Sequence, residues 1–72
     1  MIKSIYDDDY RGIIAALREA RRAADLTQVQ VADRLGKPQS YVAKVEGYER
    51  RLDLVEYIAF CRAVGVDPKS LF

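Results

Sequence analysis

The feature that most restricts this chain is the turn "LGKP", residues 35 to 38, which sits between two short amphipathic segments. Upstream, "LTQVQVADRL" carries Thr27 with Gln30 three residues later, the capping-box pattern of a helix N-terminus. Gly36 ends that helix in the left-handed conformation that only glycine adopts cheaply. Pro38, with a fixed φ and no N–H, is tolerated where the next helix begins, and that helix is expected over Pro38 to Glu46. A connection this short does not let two helices fold back along each other, so they must cross steeply.

No alternation of strand type occurs over a useful length, and the rest of the chain also reads as helix. A first helix is expected from Tyr10 to Ala24, with Ile13, Leu17, Ala20 and Ala24 at helical spacing. The aspartates before it suit the positive end of a helix dipole. Asp7, Asp8 and Asp9 do not resemble a Ca²⁺ loop, because no later ligand series follows them. "DLVE" announces a fourth helix capped by Asp53, with Leu54, Tyr57, Ile58, Cys61 and Val64 as its core stripe and Gly65 as its stop. A brief fifth is expected from Pro68, capped by Asp67. Residues 1 to 7 read as an N-terminal arm, and residues 1 to 72 as one domain.

Length and composition narrow the function. The chain has 72 residues, half of them hydrophobic, which suits a single small core. No apolar run approaches the length of a membrane span and none has the layout of a signal peptide, so a soluble cytoplasmic protein is expected. The lone cysteine, Cys61, lies in an apolar run and reads as a buried structural thiol. With no histidine, no metal-ligand series, no phosphate loop and no nucleophile beside a base, neither an enzyme nor a cofactor or metal protein is expected. The net charge of +1 hides an uneven distribution. Residues 11 to 51 carry nine basic against five acidic side chains, whereas both flanks are net acidic. Positive charge confined to the middle suits a surface that meets a polyanion.

On a helical wheel of the segment after the turn, Tyr41, Val42 and Val45 share one arc, and Gln39, Ser40, Ala43, Lys44 and Gly47 share the other. Gln and Ser stand near the N-terminus, the end that a recognition helix pushes into a groove. Steep crossing also needs a small residue at the contact and apolar locks behind the second helix. Counted from Gln28, Ala32 is fifth, Gly36 ninth, Val42 fifteenth and Val45 eighteenth, which meets each demand of helix-turn-helix geometry.

With "LTQVQVADRLGKPQSYVAKVE", "ERR" and "AVGVDPKSLF", the chain resembles the phage repressor and Cro type of helix-turn-helix regulators, the Xre family, over about residues 13 to 72. The resemblance implies an all-α, five-helix, lambda-repressor-like domain that binds double-stranded operator DNA. It further implies a homodimer on a near-palindromic site. By matching position, Gln28 contacts a phosphate and braces the residue opposite, and Gln39 reads a base, where its amide suits adenine N6 and N7. Ser40 and Lys44 occupy neighbouring groove positions, Lys44 over guanine or over phosphate. Ala43 touches a thymine methyl or simply permits close approach. Tyr41 reaches a phosphate or packs half-buried. Arg50 and Arg51 are phosphate candidates. Arg21 and Glu46 match an ion pair that orients the recognition helix.

The chain departs from the family pattern where Tyr48, Glu49 and Leu52 replace the usual Gly, Lys and Pro, and where Asp25 stands at the end of the first helix. The apolar surplus of Val55, Ala59, Phe60, Leu71 and Phe72 suggests self-association. The rival reading keeps the fold but makes it a protein-interaction module, such as an antitoxin or adaptor, an option that Glu49 and the nearly neutral total charge favour.

Overall fold

The computed structural model describes residues 8–71. They form α1 (Asp8–Ala23), α2 (Gln28–Leu35), α3 (Gln39–Glu46) and α4 (Leu54–Val64), followed by a 3₁₀ turn at Pro68–Leu71. There are thus four α-helices among the described residues, not five. After Gly65, Ser70 N–H bonds the Asp67 carbonyl three residues back, the bond of a 3₁₀ turn rather than of an α-helix. The expected N-terminal arm, Asp7 and Phe72 lie outside the described residues.

α1 begins earlier than its apolar periodicity implies because Asp8 and Asp9 occupy the first turn, where carboxylates meet the positive dipole end. Its buried residues are Ile14 and Leu17; Ile13 and Ala20 pack half-buried beside them, while Ala24 lies past the helix end and is exposed. α2 starts from a reciprocal capping box: Gln30 N–H donates to Thr27 Oγ1 at 3.1 Å and Thr27 N–H donates to Gln30 Oε1 at 2.8 Å. It stops at Gly36, φ +67°, and Lys37 N–H bonds back to the Ala32 carbonyl. Pro38 is the residue before α3, with extended backbone, so the helix itself opens at Gln39.

α2 packs against both α3 and α4, and α1 also packs against α3 and α4. At the centre, Leu17, Val31, Val42, Val45, Phe60 and Cys61 have no exposed surface. The stripe of α4 differs from the expected one. Phe60 is central, Tyr57, Cys61, Ala63 and Val64 are buried with it, Ile58 is half-buried, and Leu54 is 68% exposed. Nearly every residue of "LVEYIAFCRAV" is apolar, so periodicity alone could not choose a face. Packing chose the arc through Tyr57, Phe60, Cys61 and Val64, spaced three and four residues apart. Burial pushes the Cys61 thiol up, which keeps it protonated and inert.

Two polar ties close the ends of the core. The Tyr57 hydroxyl donates to the Pro68 carbonyl at 2.5 Å, which holds the 3₁₀ turn over α4. Burial pushes this phenol up to about 12, so it remains a donor at neutral pH. Arg34 Nη1 donates to the Ala63 carbonyl at 2.8 Å, capping the end of α4 from α2. Phe60→Ala is expected to destabilise the domain by about 3–5 kcal/mol, a large share of what so small a chain possesses. Leu54→Ala in the monomer should stay within about 0.5 kcal/mol. Urea-unfolding midpoints of the two variants check both values.

Candidate nucleic-acid interface

The crossing of α2 and α3 is made possible by Ala32, buried at the contact, and is locked by Val42 and Val45 behind α3. That leaves Gln39, Ser40 and Lys44 exposed. Ala43 is half-buried in a shallow hollow whose rim includes Arg18, Gln28 and Gly47. Its methyl is therefore set deeper than its neighbours on the outward arc.

Glu46, at the last position of α3, is 6% exposed, and its charge is met from α1. Arg21 Nε donates to Oε2 at 2.6 Å and Nη2 to Oε1 at 3.0 Å, a bidentate pair, while Nη1 donates to the Leu26 carbonyl at 2.8 Å. A third donor joins them: Gln28 Nε2 reaches Oε1 at 3.1 Å. Gln28 Oε1 then accepts from Gln39 Nε2 at 3.2 Å. One hydrogen-bonded chain thus runs from the core to the surface of α3 through Arg21, Glu46, Gln28 and Gln39.

A second cluster lies around Tyr41. Its ring, half-buried, has the Arg50 guanidinium over it at 4.7 Å and Lys37 Nζ at 5.4 Å from the centroid. Burial, and then the neighbouring Glu56 carboxylate, push the phenol up, so its hydroxyl stays protonated. Arg50 is not a free arm. Its Nη1 and Nη2 donate to Glu56 Oε1 and Oε2 at 3.3 and 3.0 Å, and Nη1 also donates to the Arg51 carbonyl at 2.7 Å. Those bonds occupy the end of the guanidinium and leave its Nε edge turned away from Glu56. Arg51 is exposed.

The loop that carries these arginines wraps the end of α3. Tyr48 takes φ +63°, and Glu49 and Arg50 N–H both bond the Lys44 carbonyl, at 2.8 and 3.2 Å. A left-handed tyrosine is costly, and here its ring lies under the Arg11 guanidinium at 4.6 Å. Arg11 and Lys37 were not marked by sequence pattern, since an Arg in α1 and a Lys in a turn read as solvated charge. Glu56 was legible only as a cap. It does accept from Asp53 N–H at 2.9 Å, yet the same carboxylate holds Arg50, a link across a loop that no helical spacing announces.

Two outcomes test this geometry. Arg21→Ala strands the Glu46 charge and is expected to cost about 3–5 kcal/mol, read from thermal or urea unfolding. Glu56 is held below its ordinary 4.5, first by the Arg50 hydrogen bond and then by the Asp53 backbone N–H. A depressed folded value means stability that is present above the unfolded value and is lost as pH falls through the folded one. The stability gap between wild type and Glu56→Gln should therefore be open at pH 7 and close below about pH 4.

A family model described as a helix-turn-helix domain matches residues 15–71. Among solved structures, an XRE-family like protein from Pseudomonas syringae pv. tomato str. DC3000 is similar at 49% identity with a TM-score of 0.88, over 93% of this chain and 82% of that one. The restriction-modification controller protein C.AhdI from Aeromonas hydrophila is similar at 33% identity with a TM-score of 0.79, over 92% of this chain and all of that one. No curated protein sequence matches the chain. With a steep helix pair locked by Val42 and Val45 and a family match across most of its length, the chain belongs to the Xre family of DNA-binding helix-turn-helix transcription regulators.

Proposed function

We propose that this protein is a sequence-specific repressor that lays α3 in the major groove of a near-palindromic operator and binds as a homodimer. The observation that carries this reading is Gln39. It stands at the first position of α3, exposed, with its amide held by Gln28 rather than left to solvent. A surface glutamine kept for solubility has no need of such a brace; a base-reading one gains from losing its rotamer freedom before it binds.

Ser40 and Lys44 are the neighbouring groove contacts, and Ala43 offers a methyl where the helix comes close. Gln28, Tyr41, Arg50 and Arg51 are the phosphate contacts, which set register rather than sequence. Arg50 reaches phosphate with its Nε edge while Glu56 keeps the other end. The similarity to a restriction-modification controller supports a regulatory role on DNA. Dimerisation is supported by adjacent apolar residues on α4, Leu54 and Val55, which are 68% and 76% exposed.

The protein-interaction alternative draws on the same Arg50 and Glu56 pair, which already neutralises one of the candidate phosphate contacts. Salt separates the two readings, because only duplex binding must release condensed counterions.

Selection from random duplexes should enrich a near-palindrome whose half-site centres lie about 34 Å apart. Gln39→Ala is expected to relax one base pair per half-site by about 1–3 kcal/mol. Arg51→Ala should weaken all sequences alike and lower the salt slope by about one unit. No enrichment by a folded protein, or binding indifferent to salt, would rule the DNA reading out in favour of a protein partner.

A further inference from the structure

We infer that α1 carries a second phosphate-binding surface, a row of Arg11, Arg18 and Arg22 that takes the backbone of one DNA strand while the loop after α3 takes the other. The inference rests on the reading of α3 as the groove-reading helix. Of the phosphate contacts named above, Gln28 and Tyr41 are uncharged and Arg50 is already paired with Glu56. Together they offer a polyanion little positive charge, and the α1 row supplies more.

At 3.6 residues per turn the three arginines fall within an arc of about 40° on α1, with roughly 10 Å and then 6 Å of helix between them. All three are exposed. Ala15 fills the gap between Arg11 and Arg18, so no carboxylate interrupts the row. Its neighbours across the surface belong to the recognition helix and the elements beside it. The Arg11 guanidinium lies over the Tyr48 ring at 4.6 Å, Arg18 shares the rim of a hollow with Ala43 and Gly47, and Arg22 lines a second hollow with Gln28 and Gln39. The row therefore runs beside α3 from its last turn to its first residue. Among the described residues the Arg18 guanidinium has no hydrogen bond or ion pair. Arg22 meets the exposed Glu19 at 3.7 Å, a contact too well solvated to compete with a phosphate.

The assignment of strands follows from the wheel of α3. Tyr41 and Ala43 stand about 80° to either side of the centre of the outward arc, which lies between Ser40 and Lys44. Lys37 and Arg50 gather over Tyr41, whereas Arg18 stands on the Ala43 side. A helix in the major groove, which is about 12 Å wide, has a sugar-phosphate backbone along each flank. The cluster at Tyr41 meets one wall. The α1 row meets the other. Arginines placed in this way fix the depth and tilt of α3 and read no base, so their contribution is the same on every sequence.

The experiment titrates the site selected by the wild-type protein, and an unrelated duplex of equal length, by fluorescence anisotropy over a range of salt. Arg18→Gln is compared with Arg62→Gln, which removes the same charge from an exposed position on α4. Arg18→Gln should lower the salt slope by about one on both duplexes, so that a fourfold rise in salt weakens it about threefold less than wild type. Arg62→Gln should leave the slope as it is. Single methylphosphonates placed along each strand then locate the contact: those that weaken wild type but not Arg18→Gln should lie on the strand opposite to those that weaken wild type but not Arg51→Ala. Arg11→Gln is confined to a supporting role, because it also removes the contact with Tyr48; should a melting curve show it loosened, Arg18→Gln decides alone. Equal slopes for Arg18→Gln and Arg62→Gln, or methylphosphonates coupled to Arg18 and Arg51 on the same strand, overturn the inference. A wild-type protein whose duplex binding is indifferent to salt shows a different failure, that of the DNA reading itself, before any α1 variant is tested.

Discussion

The buried pair between Arg21 and Glu46 is the constraint around which the rest of the molecule is arranged. A carboxylate at the end of α3 is 6% exposed, and taking it out of water is tolerable because a guanidinium and an amide return three hydrogen bonds to it. A pair of well-packed apolar side chains would hold the two helices as firmly. What the ions add is direction: an apolar contact permits sliding, whereas a bidentate pair between α1 and α3 admits one register. The third N–H of Arg21 on the Leu26 carbonyl extends that register to the loop leading into α2.

Both loops beside this pair place non-glycine residues in left-handed backbone, Asp25 at φ +58° and Tyr48 at φ +63°. Neither is the residue that backbone energetics prefers there. Each loop nevertheless satisfies the helix end it leaves: Leu26 N–H returns to the Arg21 carbonyl, and two successive N–H groups after Tyr48 return to Lys44. The helix ends are thus closed by main chain, and the side chains of the second loop remain available for other contacts, Tyr48 with Arg11 and Arg50 with Tyr41 and Glu56.

Much of the scaffold was legible in the sequence because its signals are local. Capping boxes at Thr27 and Asp53 and stops at Gly36 and Gly65 are read from residues three or so apart, and each lies at the helix end its pattern indicates. The core stripe of α4 was not legible, since almost every position there is apolar and only the surrounding helices decide that Phe60 goes in and Leu54 stays out. The expected fifth helix is a single 3₁₀ turn, Pro68–Leu71, and the Asp67 and Pro68 signals that announce a helix start do not distinguish the two forms. At the interface, the outward arc of α3 follows from a wheel. The bonds that orient it join residues 11, 18 and 25 apart, and sequence pattern says nothing about such distances.

The chain of bonds ending at Gln39 also divides the outward surface of α3 into positions that can drift and one that cannot drift alone. Ser40 and Lys44 are exposed and stand outside that chain, so replacing them changes what the helix offers without disturbing what supports it. Gln39 is joined to Gln28 and, through it, to the charge in the core. Among descendants of this sequence, new recognition is therefore expected to begin at residues 40 and 44, whereas residue 39 should change in step with residue 28. A single buried carboxylate makes some evolutionary routes to a new target short and others two substitutions long.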